Sequence, residues 1–370
     1  MRRSDFIRKA VPTGLLMPAL INGYTFNAFG ASPLMAALTA APEETDHVLV
    51  IIQMTGGNDG LNMVSPLDQF DNLSNARSNI MLPKDKILSL TGTSMTGLHP
   101  AMTGLQSLYN DGKLKIIQSV GYPNPNFSHF RATDIWLTGA NSDQVLDTGW
   151  AGRYLGQEYA NYPVGYPNTI MPDPLAIQIG ATVSPALQGP AVNMGLAITD
   201  PTNFYNLLNG IQDTAPNTNA GKELTYIRQV SQQTQQYGAV IKAAAAKITK
   251  QGTYPTNNSL ADQLKIVARL IAGGLKTRVY MVSIGSFDTH AAQVVASATE
   301  TGTHATLLGN LSNAIKAFMD DLKGLGASKR VMGMTFSSLA GALNQTQVLA
   351  QIMAPLLLYS YLGIMYRVGY

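Results

Sequence analysis

The amino-acid sequence predicts an α/β fold, with a mostly parallel sheet and helices on both of its faces. Four short runs rich in β-branched residues occur at 47–54 (HVLVIIQM), 114–120 (LKIIQSV), 277–284 (TRVYMVSI) and 330–336 (RVMGMTF), and continuous apolar runs of that length are the pattern of buried strands. Helical segments at 223–247, 260–272 and 305–323 lie between or beside them, and strands alternating with helices imply parallel pairing with both faces covered. The chain has 370 residues, 45% hydrophobic and 13% charged. That is enough for one large α/β domain or two smaller ones with a real core, and it argues against a disordered or fibrous chain.

The first 41 residues read as an export signal. Arg2 and Arg3 precede a largely apolar stretch at 10–20, and small residues follow at 36–41, the order of charged, apolar and small residues that export signals share. The start is similar to a twin-arginine signal, with one extra residue between the arginine pair and Phe6. Gly14, Pro18, Gly23 and Gly30 speak against the alternative, an amphipathic first helix of the mature fold. A mature chain beginning near Ala40, periplasmic or secreted, is expected. No later apolar stretch reaches the roughly 18 to 20 residues of a spanning helix, so no transmembrane span is expected in it. The chain has no cysteine, which removes disulfides, thiolate metal sites and a cysteine nucleophile together and is compatible with export. Its 25 Lys and Arg against 22 Asp and Glu leave a net charge of +3 without a basic run, so nucleic-acid binding is set aside.

The α/β domain is expected over 45–336. In open sheets of this type, ligands bind beyond the carboxyl ends of the strands. The run 47–54 stops at Thr55-Gly56-Gly57-Asn58-Asp59-Gly60, where glycines permit a sharp turn and Asp59 supplies a hard anionic metal ligand; a plain Asp-Gly turn is the competing account. After the run 277–284 comes Gly285-Ser286-Phe287-Asp288-Thr289-His290. In an extended segment Asp288 and His290 point the same way, which suits zinc or manganese; alternatively Asp288 caps the next helix and His290 lies on its first turn. At 123–131 (PNPNFSHFR), Ser128 stands at a predicted helix start, where a nearby metal and the helix dipole would activate its hydroxyl as a nucleophile. Arg131 would hold an anionic substrate oxygen. The alternative makes Ser128 an N-cap and His129 a turn residue. His99 precedes a proline in a loop, and His47 and His304 read as structural or solvated. The stretch 141–219, rich in Gly, Pro, Asn and Thr, reads as a loop-rich insertion over the sheet.

Taken together, LVIIQMTGGNDGLNMVSP, LHPAM, GYPNPNFSHFRATDIWLTG, DTGWAGRYL and IGSFDTH resemble the bacterial family called domain of unknown function 1501, over about 48–336. That family looks like a branch of the alkaline phosphatase and sulfatase superfamily, whose members hydrolyse phosphate or sulfate esters with a two-metal site and a nucleophile at a helix start. The resemblance implies that Asp59 is the first-strand metal ligand, that Asp288 and His290 are later ligands, and that Ser128 stands near the nucleophile position, which His129 fits about as well. It implies divalent zinc, manganese or magnesium as cofactor and an anionic ester as substrate. A second class of function remains beside it, a non-catalytic exported protein that binds a surface partner or glycan, because a fold does not fix a function.

The segment 337–370 contains no Asp, Glu or His, whereas the resemblance implies Ser-Glu-Phe-Gly-Arg after the strand at 330–336 and, further on, Gly-Thr-Asp-His-Gly. Degenerate codons for 338–353, read one base earlier, permit Glu-Phe-Gly-Arg and then Gly-Thr-Asp-His-Gly in one register. The sequence thus allows a base lost in the codon of Ser337, leaving the C-terminal part of the fold incomplete; the alternative is a divergent tail whose apolar MAPLLLYSYLGIMY packs as a strand or helix. A site without the Asp-His pair is expected to bind at most one metal weakly, to leave Asp59 and Asp288 uncompensated, and to be inactive and less stable.

Overall fold

The structure, a computed structural model, describes residues 46–118, 120–126, 128–201 and 236–339, together with 19–21, 24–26 and 363–368. Within the expected export segment, strands β1 (Ala19–Ile21) and β2 (Tyr24–Phe26) pair antiparallel; the rest of that segment lies outside the described residues.

The run HVLVIIQM forms the central strand β3, which continues three residues further than the apolar pattern, over Val48–Gly57. A short helix α1 (Gly60–Met63) follows, and then strand β4 (Val64–Pro66), helix α2 (Phe70–Arg77) and strands β5 (Leu88–Leu90) and β6 (Thr93–Leu98). These strands make a small antiparallel sheet in the order β4-β6-β5. Helix α3 (Thr103–Asn110) leads into β7 (Leu114–Ile117), shorter than the predicted run. Helices α4 (His129–Thr138) and α5 (Trp150–Glu158) and strands β8 (Ala176–Ile179) and β9 (Gly195–Ile198) come next. Residues 236–247 are helical; the earlier part of the predicted segment 223–247 lies outside the described residues. The chain continues through α6 (Ser259–Ala272), β10 (Val279–Ile284), α7 (Thr303–Gly324), β11 (Val331–Leu339) and β12 (Gly363–Val368).

The main sheet has seven strands in the order β7-β12-β11-β3-β10-β8-β9. From β11 to β9 every neighbouring pair is parallel, while β12 runs antiparallel to both β11 and β7. The α/β fold with a mostly parallel sheet is therefore what the chain adopts. Its two faces divide the apolar residues of each strand by the pleat. Val50, Ile52 and Met54 of β3 and Tyr280, Val282 and Ile284 of β10 join a core with Leu105 of α3, Leu264 and Val267 of α6, and Leu311 and Ile315 of α7. Ile51, Val279 and Met281 face the other way, toward Leu137 of α4 and Ala151 and Leu155 of α5. Helix α6 begins at an N-cap, Asn258, whose side chain accepts from the backbone N–H of Ala261, and its buried Leu260, Leu264, Val267 and Ile271 recur at the helical repeat.

One expectation needs correction. The segment 141–219 is more than a loop-rich insertion, because it supplies α5 and two strands of the main sheet. Strand β8 reads Ala-Ile-Gln-Ile and is buried at all four positions, so it shows neither the alternation nor the length by which a strand is recognised. Of the segment 337–370, residues 363–368 enter the sheet as β12, and residues 340–362, which include most of the proposed frame-shifted motif, lie outside the described residues.

Candidate functional site

Strands β3 and β10 run side by side in parallel, with Ile284 opposite Met54, so the loops carrying Asp59 and Asp288 leave from the same edge of the sheet. The backbone N–H of Phe287 donates to the carbonyl of Thr55 at 3.1 Å. Gly56 adopts φ +96°, and a Cβ on it would sit 2.6 Å from the backbone nitrogen of Asp288; only glycine allows both the turn and the approach. The third strand end joins through Ser337 of β11, whose hydroxyl donates to the carbonyl of Gly56 at 3.0 Å and accepts from the backbone N–H of Asn58 at 3.1 Å.

On the solvent side of this edge the structure brings together Asp288, His290 and His129. Asp288 Oδ2 lies 2.8 Å from His290 Nε2 and 3.5 Å from His129 Nε2, and all three side chains are partly exposed. His290 has φ +37° and Ser286 φ +71°, so two non-glycine residues in the left-handed region bracket Asp288, backbone strain of a kind that clusters at functional sites. Asp288 does not cap a helix; Thr289 occupies the N-cap position of the short 3-10 turn His290–Ala292, with no side-chain bond. His129 opens α4, and its Nδ1 is buried without a hydrogen-bond partner among the described residues. Ser128 stands at the N-cap of α4, exposed, and its hydroxyl makes no capping bond.

Asp59 is placed differently. It is 2% exposed, Oδ1 accepts from the backbone N–H of Asn62 at 3.2 Å, and Oδ2 accepts from both Arg77 and Gln293. Burial pushes its pKa up, but the Arg77 guanidinium, the nearby His304 and the hydrogen bonds from Arg77 and Gln293 together more than offset this and hold it below the ordinary carboxylate value. Next to it, Asn58 Oδ1 lies 3.0 Å from His304 Nε2, and Asn58 Nδ2 donates to the sulfur of Met63 at 3.2 Å. His99 Nδ1 accepts from the backbone N–H of Ala101 at 3.1 Å, and its ring meets that of His304 edge-on at 5.9 Å. His304, read from sequence as structural or solvated, is buried. Arg77 and Gln293 carried no motif, and nothing local in FDNLSNAR marks its final arginine as buried.

Arg131 donates to Asp134 and to the carbonyl of Gln144, and it reaches the carbonyls of Asn141 and Ser142 at 3.4 Å. Its guanidinium ties down the loop after α4, and a substrate oxygen would have to compete for it. The expectation that Asp59 and Asp288 stand uncompensated is corrected for Asp59, which has Arg77; Asp288 lies against the imidazoles of His129 and His290. Among the described residues no group of three or more His, Cys, Asp or Glu side chains is arranged to hold a metal ion. With Oδ2 of Asp59 given to Arg77 and Gln293, the described residues do not fit a two-metal centre. No helix among the described residues is long and apolar enough to cross a membrane. No protein-family model matches the chain, and no curated protein matches it.

Proposed function

We propose that this chain is an exported relative of the alkaline phosphatase and sulfatase group, with an ancestral metal-dependent hydrolysis of phosphate or sulfate esters that it no longer performs. The observation that carries this reading is the occupation of Asp59 Oδ2, the oxygen a metal would need, by Arg77 and Gln293. The ancestry is supported by the edge where Asp288, His290 and His129 meet, with the exposed Ser128 at the start of α4 beside His129. The lack of any Asp, Glu or His in 337–370 supports the loss, and a single-base frame shift at Ser337 accounts for it; coding DNA unable to yield Asp-His-Gly in the shifted frame removes that account. The arginine-led N-terminus supports a periplasmic or secreted location.

The test is turnover of aryl phosphate and aryl sulfate esters by the purified chain with zinc, manganese or magnesium supplied, alongside its Asp288→Asn variant. Equal background rates and less than one bound ion per chain are expected. Turnover that vanishes in the variant would overturn the reading.

A second reading, non-catalytic binding of a surface partner or glycan, is favoured by Phe130. This side chain is 90% exposed immediately after His129, where an aromatic face beside polar groups suits a sugar ring. Retention on immobilised glycans that Phe130→Ser abolishes is the expected result if binding is the function.

A further inference from the structure

We infer that Arg77 is a tethered cation that has taken the place of a metal ion at Asp59 and converts that half of the edge into a structural lock. The inference rests on reading the Gly-Gly-Asn-Asp-Gly loop as a metal loop, and it concerns what now fills it. A buried carboxylate requires a counter-charge. A divalent ion bound to one oxygen would supply it, and so does a guanidinium that donates to the same oxygen. Both acceptor oxygens of Asp59 are already used, Oδ1 by the N–H of Asn62 and Oδ2 by Arg77 and Gln293. An ion at Oδ2 and the guanidinium therefore compete for the same oxygen and the same charge.

The origins of these donors give the lock its mechanical reach. Arg77 is the last residue of α2. Gln293 lies three residues beyond His290, and its carbonyl accepts from the backbone N–H of His304 at 3.2 Å. Gly302 (φ +121°) backs onto the same carbonyl, where a Cβ would come within 2.7 Å. The Asp59 carboxylate thus clamps α2, the segment after Asp288 and His290, and the start of α7 onto the end of β3. A metal at Asp59 would have to break this clamp before it could bind.

The experiment uses the full chain with zinc chloride alone as the probe, reading zinc uptake by equilibrium dialysis and thermal unfolding. For the wild type we expect no zinc uptake that depends on Asp59 and no shift of Tm with zinc or chelator. Arg77→Met should lower Tm by about 5–10 °C, the usual scale for unpairing a buried ion pair in a large domain. Zinc should restore part of that loss, and the double variant Asp59→Asn with Arg77→Met should be more stable than Arg77→Met and indifferent to zinc. Wild-type zinc uptake abolished by Asp59→Asn would overturn the inference, as would an Arg77→Met protein with unchanged Tm. If Arg77→Met does not fold, the wild-type and Asp59→Asn dialysis decides by itself. Zinc uptake lost in Asp288→Asn but kept in Asp59→Asn would count against the proposed function while supporting this assignment, since Asp59 would then take none.

Discussion

His304 Nε2 lies 3.0 Å from Asn58 Oδ1, joining the first turn of α7 to the loop after β3 across 246 positions of sequence. With Asn58 Nδ2 donating to Met63, Oδ1 is left as the acceptor that faces a proton on His304 Nε2.

Acid should weaken this arrangement. Burial first and then His304 bring the pKa of His99 down to about 4, against the opposing pull of Asp59; His304 is lowered as well, first by burial. Below about 6.5 the unfolded chain binds protons that these folded histidines refuse, so stability falls as pH drops from about 6.5 toward 4. Asp59 titrates in another window: its lowered pKa keeps its stabilisation intact above 3.8 and loses it only as pH falls further. Urea midpoints measured across this range should decline for the wild type and decline less for His99→Asn, whose amide oxygen can still accept from Ala101. Identical slopes would show that His99 does not carry the effect.

Gly56→Ala should cost about 2–3 kcal/mol, the scale of a non-glycine residue in strained backbone. It should also displace the segment bearing Asp288, because its new Cβ would meet that residue's backbone nitrogen at 2.6 Å. Denaturant unfolding gives the energy, and altered chemical shifts of the His290 ring report the displacement.

Asp321, buried in α7, accepts from Gln251 Nε2 at 3.0 Å, the backbone N–H of Gly252 at 2.7 Å and the Tyr254 hydroxyl at 2.9 Å. Removing the carboxylate strands three donors at once. Asp321→Ala is expected to cost about 2–4 kcal/mol and Asp321→Asn less, with amide exchange accelerating first at 248–258. Equal losses in the two variants would argue that size and not hydrogen bonding matters there.

Arg131→Ala should speed proteolysis within 141–144, the loop whose carbonyls it holds, at a cost of about 1–2 kcal/mol. If Arg131 instead served an anionic ligand, phosphate would raise the wild-type Tm and the variant would lose that rise.

The parts of the fold legible in sequence are those that carry their signal locally. Strands β3 and β10 are continuous apolar runs, and α6 and α7 show a helical repeat, so residues within one element suffice to recognise them. Strands β8 and β9 are four residues each and lie among Pro, Gly and Asn; only their place in the sheet, β8 beside β10 and β9 beside β8, makes them strands. The same distinction runs through the site. Asp288 and His290 are neighbours in sequence and in space. Arg77 and Gln293 reach Asp59 from 18 and 234 positions away, and no short pattern encodes a contact that the whole sheet must first assemble.

The pairing of β3 also sets a timetable. Leu49 lies opposite Val279, and Val48 opposite Val331, so the first strand of the main sheet to emerge during synthesis waits for neighbours encoded at least about 230 residues later. At roughly 5–20 residues per second that delay is on the order of 10–50 s, during which VLVIIQM has neither flank covered. A strand of this composition without partners is an aggregation hazard. The nascent chain should therefore depend on a holding factor until β10 is made, and its yield should respond more to translation speed and chaperone supply than to the stability of the finished fold.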